Sequence, residues 1–119
     1  MDGEVIAIVF NGVLMDADLK HLAQQLQQID EEFPRSPDRF ADFSHVTEIK
    51  WNFDTISAFA KLRRQTPPKN EIKVAMVAPL STHYGFARMY QSLMDGRSWK
   101  YQIFKTLPEA RQWLGEPKS

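Results

Sequence analysis

Four times along this chain a short apolar run gives way to a stretch whose apolar residues recur every three to four positions. An unbroken or alternating apolar run suits a strand, and a period near 3.6 suits a helix with one buried stripe. A chain that repeats this alternation has few ways to bury both kinds of element. The commonest is a mostly parallel sheet covered by helices. Residues 5–10 read VIAIVF, apolar and rich in β-branching, as expected of a strand covered on both faces. Asn11-Gly12 reads as its end. A helix is predicted over 18–30, with Leu19, Leu22, Ala23, Leu26 and Ile29 on one stripe and Asp16 or Asp18 as its cap. Pro34 and Pro37 mark a loop.

The same reading continues to the end. A second strand is expected over 39–43. A helix follows over 54–65, with Ile56, Phe59, Ala60 and Leu62 inward and Asn52 or Asp54 as cap, and Thr66-Pro67-Pro68 stops it. A third strand spans 72–78. Ser81 or Thr82 opens a third helix carrying Phe86, Met89, Tyr90, Leu93 and Met94, and Asp95-Gly96 ends it. A fourth strand spans 100–104. Thr106 caps a last helix with Pro108 in its first turn and Leu107, Ala110, Trp113 and Leu114 on its buried side. Residues 1–119 are read as one α/β domain with a core from about 4 to 115, and the tail from Glu116 to Ser119 is expected to fray.

Composition excludes several function classes. The 15 basic and 15 acidic residues cancel, which argues against a dedicated nucleic-acid binder. The absence of cysteine removes disulfides and thiolate chemistry. No apolar run approaches the roughly 18 residues of a membrane span, and Asp2 and Glu4 do not make a signal peptide. A cytoplasmic protein is the expectation. The neutral total hides a split: residues 1–60 hold 11 acids and 4 bases, and residues 61–119 hold 4 acids and 11 bases. Asp30-Glu31-Glu32 ends the first helix, while Lys61, Arg63 and Arg64 end the second. Solvated helix ends on one rim, on opposite faces of the sheet, are the expected arrangement, with salt-dependent self-association as its use.

Motifs for chemistry are sparse. His21, His45 and His83 show no metal-binding spacing, so no metal is expected. No G-x-S-x-G elbow accompanies Ser81, which reads as a helix cap. Neither G-x-G-x-x-G nor a P-loop is present, so no nucleotide cofactor is implied.

Several stretches resemble a known family. Residues 8–14, Ile-Val-Phe-Asn-Gly-Val-Leu, are similar to the first strand and turn of STAS (anti-anti-sigma-factor-like) domains. Ala41-Asp42-Phe43-Ser44-His45-Val46 resembles their second strand. Val74-Ala75-Met76-Val77-Ala78, Tyr84-Gly85-Phe86-Ala87-Arg88-Met89 and the C-terminal Glu109-Ala110 and Trp113-Leu114-Gly115 are similar to the SpoIIAA-like branch of bacterial proteins. The resemblance implies a mostly parallel sheet of order 2-1-3-4 with helices on both faces, and an additional antiparallel edge strand for which there is little room ahead of residue 5. It implies a regulatory or protein-interaction module without catalysis. The family's phosphorylated serine has no counterpart: Ile49-Lys50-Trp51-Asn52-Phe53 stands in that loop, with Thr47 and Thr55 nearby.

Two candidate sites follow. Trp51, Asn52 and Phe53 are expected to contact a protein partner or a second copy in a homodimer, unless Trp51 and Phe53 fold back as a staple on the second helix. The alternative function is a carrier or sensor of a small lipid-like or anionic ligand. With order 2-1-3-4 a switch-point crevice would open between strands 1 and 3. Asn11, Gly12, Ser81, Thr82, His83, Tyr84 and Arg88 would surround it. Met76, Met89 and Met94 are assigned to ordinary core packing.

Overall fold

A computed structural model describes residues 5–94, 96 and 98–116. Asp95 as the end of the third helix, the tail beyond Glu116 and the first four residues lie outside the described residues. The elements are β1 (Val5–Leu14), α1 (Asp16–Glu32), β2 (Asp38–Ile49), α2 (Phe53–Gln65), β3 (Ile72–Val77), α3 (Ser81–Met94), β4 (Trp99–Phe104) and α4 (Leu107–Leu114). Each overlaps the stretch that periodicity assigns to it, but β2 runs on to Ile49 instead of ending at Phe43. The four strands form one all-parallel sheet.

The strand order is β1-β2-β3-β4, which corrects the expected 2-1-3-4. Each connection steps one place in the same direction. Right-handed crossovers that never reverse put every connecting helix on one face. Accordingly α1 packs on α2 and α2 on α3. The opposite face receives α4 alone, which lies over β3 and β4 and reaches β2. Helices do occupy both faces, but three against one.

The core follows this asymmetry. Leu19, Ala23, Ala41, Phe43, Ile56, Phe59, Met76 and Ala87 form a cluster between the sheet and the three helices. A smaller cluster of Ala75, Val77 and Ala110 lies under α4, with Phe40, Phe104 and Trp113 packed around it. Lys73 is buried there; its Nζ donates to the carbonyls of Trp113 and Glu116, both at 2.7 Å, and lies 5.0 Å from the Trp113 ring centre. A cation thus meets the C-terminal end of α4, where free carbonyls collect.

For β1 the expectation changes in two ways. β1 does not stop at Asn11-Gly12 but runs to Leu14, because its pairing to β2 continues through Asn11↔His45, Gly12↔Val46 and Leu14↔Ile49. Register shifts on either side of Gly12 absorb extra residues, and its φ of 69° suits glycine. β1 is also an edge strand, covered on one face only: Ile6, Ile8 and Phe10 turn inward, while Val5, Val9 and Val13 remain exposed. An apolar run alone did not reveal that α4 is too short and too distant to cover them.

The helix ends are also more specific than expected. α1 begins after Met15, whose N–H donates to Asp18 Oδ2 at 2.7 Å, so Asp18 reaches back from inside the first turn. Asn52 caps α2, its Oδ1 accepting from the Thr55 N–H at 2.9 Å. Thr106 caps α4 as expected. Ser81 is the first residue of α3 rather than its cap: the Leu80 carbonyl accepts from the Tyr84 N–H at 2.9 Å, which places Leu80 in the cap position.

Candidate functional site

The expected crevice has no counterpart in this topology. With β2 between β1 and β3, the strand order never reverses and there is no switch point. Asn11 and Gly12 lie on the edge strand, while Ser81, Thr82 and His83 open a helix two strands away. Ser81, Thr82, Tyr84 and Arg88 are exposed. His83 is buried against Phe43, their ring centres 6.1 Å apart, and its Nδ1 has no hydrogen-bond partner.

The loop candidates also separate. Trp51 is only 6% exposed, and its indole N–H donates to the Met15 carbonyl at 2.8 Å. It stands immediately before the cap Asn52 and shares a core cluster with Ile56, four residues into the helix. That is the staple arrangement, in which the residue before the cap pairs with one on the first turn and a half. Asn52 is occupied by capping. Phe53 alone of the three presents a free apolar side chain, at 55% exposure. It does not fold back.

The structure instead forms a partly open chamber between the sheet and α1, α2 and α3, with a volume of about 70 Å³. Its floor is the inward register of the strands: Ile8 and Phe10 of β1, Arg39, Ala41 and Phe43 of β2, Val74 and Met76 of β3, and Tyr101 of β4. The helices supply the roof, with Leu19, Leu22 and Leu26 from α1, Ile56, Phe59 and Arg63 from α2, and Phe86, Ala87 and Tyr90 from α3. Trp51 and Trp99 complete the lining. At about 70 Å³ the space is well above the roughly 10–15 Å³ that holds a single water, and is about half the roughly 150 Å³ apolar cavity that admits benzene.

Two of the lining side chains are guanidinium groups. Arg39 Nη2 donates to Asp30 Oδ1 at 2.7 Å and to the Pro37 carbonyl at 3.0 Å. Arg63 Nη2 reaches Asp30 Oδ2 at 3.5 Å. Asp30, Arg39 and Arg63 are all buried. Both arginines keep Nη1 buried and without a partner. One carboxylate therefore serves two buried cations, and the cluster carries one uncompensated positive charge.

Two phenols stand in the same field. Tyr90 and Tyr101 hydroxyls lie 3.3 Å apart. Burial raises the Tyr101 pKa well above its ordinary 10.0, and the neighbouring Tyr90 raises it further, while Arg63 and Arg39 pull it back. Burial also raises Tyr90, against the lowering effect of its bond to Tyr101 and of Arg63, Arg39 and Arg64. Above about pH 10 the unfolded chain releases these protons while the folded one keeps them. Stability is therefore complete below that pH and falls as pH rises toward the folded pKa values. Thermal melts from pH 8 to 11 should show a drop in Tm that begins above pH 10. Tyr101→Phe should flatten it; an unchanged alkaline slope would count against this assignment.

The periodicity that located the helices already contained the charged cluster. Asp30 stands in step with Leu19, Ala23 and Leu26 on α1, and Arg63 with Ile56, Phe59 and Ala60 on α2. Arg39 alternates inward with Ala41 and Phe43 on β2. Each is a charge on a buried register, a pattern that demands a partner. Reading Asp30 and Arg63 as solvated helix ends overlooked it. Leu62, expected inward, is exposed in exchange.

Among the described residues no group of three or more His, Asp or Glu side chains is placed to hold a metal ion. No helix among them is long and apolar enough to cross a membrane. No family model matches the chain, nor does any curated protein or solved structure.

Proposed function

We propose that this chain is a non-catalytic binding domain that takes a small, mostly apolar ligand into the chamber between its sheet and its three clustered helices. The observation that supports this best is a space between the sheet and the helices walled almost wholly by apolar side chains, with the buried Arg39 and Arg63 among its lining residues. Close-packed cores seldom leave voids larger than a water molecule. The ligand reading thus moves from a rim crevice to the interior. The motifs that resemble STAS and SpoIIAA-like domains are compatible with it, and membership of that family is part of the proposal rather than its support.

Xenon is a suitable first probe because it binds dry apolar cavities without needing polar contacts. Under xenon pressure, NMR should show saturable shifts for Ala87 and Met76, which lie on opposite walls. Ala87→Leu should fill the space and abolish them. Absence of any xenon response in the wild-type protein would refute an accessible chamber.

A second reading, a docking module for a protein partner or a second copy, draws on a different observation. Met15, Phe53, Leu80 and Tyr84 are all exposed, and all stand where strands end and helices begin. Parallel strands place those junctions on one rim. Phe53 is the side chain on which this reading depends, since Trp51 is inside and Asn52 is committed to its helix.

A further inference from the structure

We infer that β1 is the interface of a homodimer, in which two copies pair their β1 strands antiparallel about a two-fold axis at Val9 and join two four-stranded sheets into one. The surface runs along the sheet edge, and the inference depends neither on the chamber nor on the rim that carries Phe53.

The first support is an unguarded edge. β1 ends the sheet on one side, with no further strand beside it among the described residues. A free edge offers a row of unpaired N–H and C=O groups, and monomeric proteins blunt such edges with charge, proline or short length. β4, at the other edge, follows that rule: it has six residues, and its Lys100 pairs with Glu71 at 3.2 Å. β1 does not. Its ten residues hold neither a charge nor a proline, and Val5, Val9 and Val13 are exposed on it. An apolar edge about 33 Å long is therefore left for pairing.

The second is self-complementarity. Residues of β1 alternate between the outward face and the face toward the helices. Antiparallel pairing about Val9 sets each residue opposite the one equally far beyond that position. On the outward face Val9 meets its own copy and Val5 meets Val13. On the helix side Ile8 meets Phe10 and Ile6 meets Gly12. Branched and aromatic cross-strand pairs of this kind stabilise sheets, and no like charges meet. A two-fold pairing uses the same patch on both copies and closes at two, so no open edge remains on β1.

The third lies on α1. A groove between β1 and α1 is lined by Ile6, Ile8, Leu22 and Ile29, all of them only half-buried. A two-fold axis normal to the sheet keeps both α1 helices on one side and sets the second helix beside this groove. With strands about 4.8 Å apart and each α1 over its own β1 and β2, the helices run about 10 Å apart, an ordinary packing distance. α1 runs back along β1. Val9 stands about 17 Å from the end of β1, equivalent to about eleven residues into α1, so the axis passes near Leu26 and Gln27. Gln25, Gln28 and Glu32 border the groove, and His21 shares their stripe. Crossing there, Gln25 meets the partner's Gln28, and His21 meets the partner's Glu32. The middle of the stripe is uncharged and its ends set an imidazole against a carboxylate. A different protein would need to match strand and stripe together; a second copy of this chain matches both.

Sedimentation of the full chain over a range of concentrations should give a mass approaching twice that of one chain. Val9→Lys sets two like charges together on the axis, at a side chain already exposed. It should weaken the dimer roughly tenfold or more and leave the far-UV circular dichroism unchanged. Val5→Lys should weaken the dimer too, and adding Val13→Glu to the same chain should restore it. The two positions face each other only across the axis, since within one chain they lie about 26 Å apart. Should Val9→Lys fail to fold, amide hydrogen exchange of the wild-type protein carries the same information: N–H groups on the free edge of β1 should gain protection as concentration rises. A monomer at every concentration, or a dimer unchanged by Val9→Lys, would overturn the inference. So would a Val5→Lys loss that Val13→Glu does not restore, or open-ended assembly in place of a dimer.

Discussion

Asp30→Ala should destabilise the protein by about 3–5 kcal/mol, the usual consequence of removing one partner from a buried ion pair and stranding the other. Here two cations are stranded at once. Asp30 accepts from Arg39 at 2.7 Å and from Arg63 at 3.5 Å, and all three side chains are buried. Without the carboxylate, the Pro37 carbonyl is the remaining acceptor for Arg39, and Arg63 retains none of the partners described above. Neither guanidinium can shed its proton to escape, since arginine stays charged at any ordinary pH. A domain of this size has roughly 5–15 kcal/mol in total, so denaturant melts should show a large loss of midpoint. The triple variant Asp30→Leu, Arg39→Met, Arg63→Met should recover much of it, because apolar replacements of buried ion clusters are often neutral or stabilising. If Asp30→Ala melts within about 1 kcal/mol of wild type, or if the triple variant is no better than the single one, the cluster is not held as described.

Trp51→Ala is the second large effect, and its sign separates two readings of one loop. An indole exposed to meet a partner could be removed with little harm to the fold. The observed Trp51 lies in the main core cluster, edge-on to Phe10 at 6.1 Å and to Phe86 at 6.3 Å. Its N–H also ties the end of α2's leading loop to the start of α1 through Met15. Truncation should cost about 3–5 kcal/mol. At roughly 4 °C per kcal/mol, Tm should fall by about 12–20 °C. Phe53→Ala, two positions on, should change stability by no more than about 0.5 kcal/mol, as for other exposed sites. The contrast makes Phe53 the clean probe of docking. Sedimentation of Phe53→Ala should show weaker self-association if the rim is an interface between copies, and no change would count against that use. A near wild-type melt for Trp51→Ala would show that the indole is not a core side chain.

Much of the fold is legible in the sequence. Apolar spacing placed four strands and four helices; Thr106 was identifiable as a cap and Asn52 as one of two candidates, whereas the cap positions of α1 and α3 fall to Met15 and Leu80. The site was far less legible. Trp51 and Phe53 are two apolar residues in one loop, and nothing local says that one turns in and the other out; the outcome depends on whether Phe10 and Phe86 are there to receive the ring. The crevice around Asn11, Gly12 and Ser81 depended on a strand order that the topology does not have. The charged cluster was present as a pattern, a charge on each of three buried registers, but the pattern gains meaning only when α1, α2 and β2 are known to converge.

The charge split shows the same division. Acids concentrated before residue 60 and bases after it suggested two helix ends on opposite faces, available for association. The structure instead places α1 and α2 side by side and spends part of that charge internally, on Asp30 with Arg39 and Arg63. Lys69 adds a further tie, its Nζ donating to the Glu31 and Phe33 carbonyls at the end of α1.

Sequence by itself determined the kinds of element, their order, their approximate limits and which stripe of each is apolar. These are properties of local sterics and of side-chain period, which act over a few residues. Tertiary structure alone decided that the strands run 1-2-3-4, that three helices share one face, and that Arg39 and Arg63 meet over one carboxylate beside an open chamber. Strand order is a choice among arrangements with nearly the same local energies. It is settled by contacts between residues far apart in the chain, such as Asp30 with Arg63, and such contacts leave no mark on the spacing of neighbours.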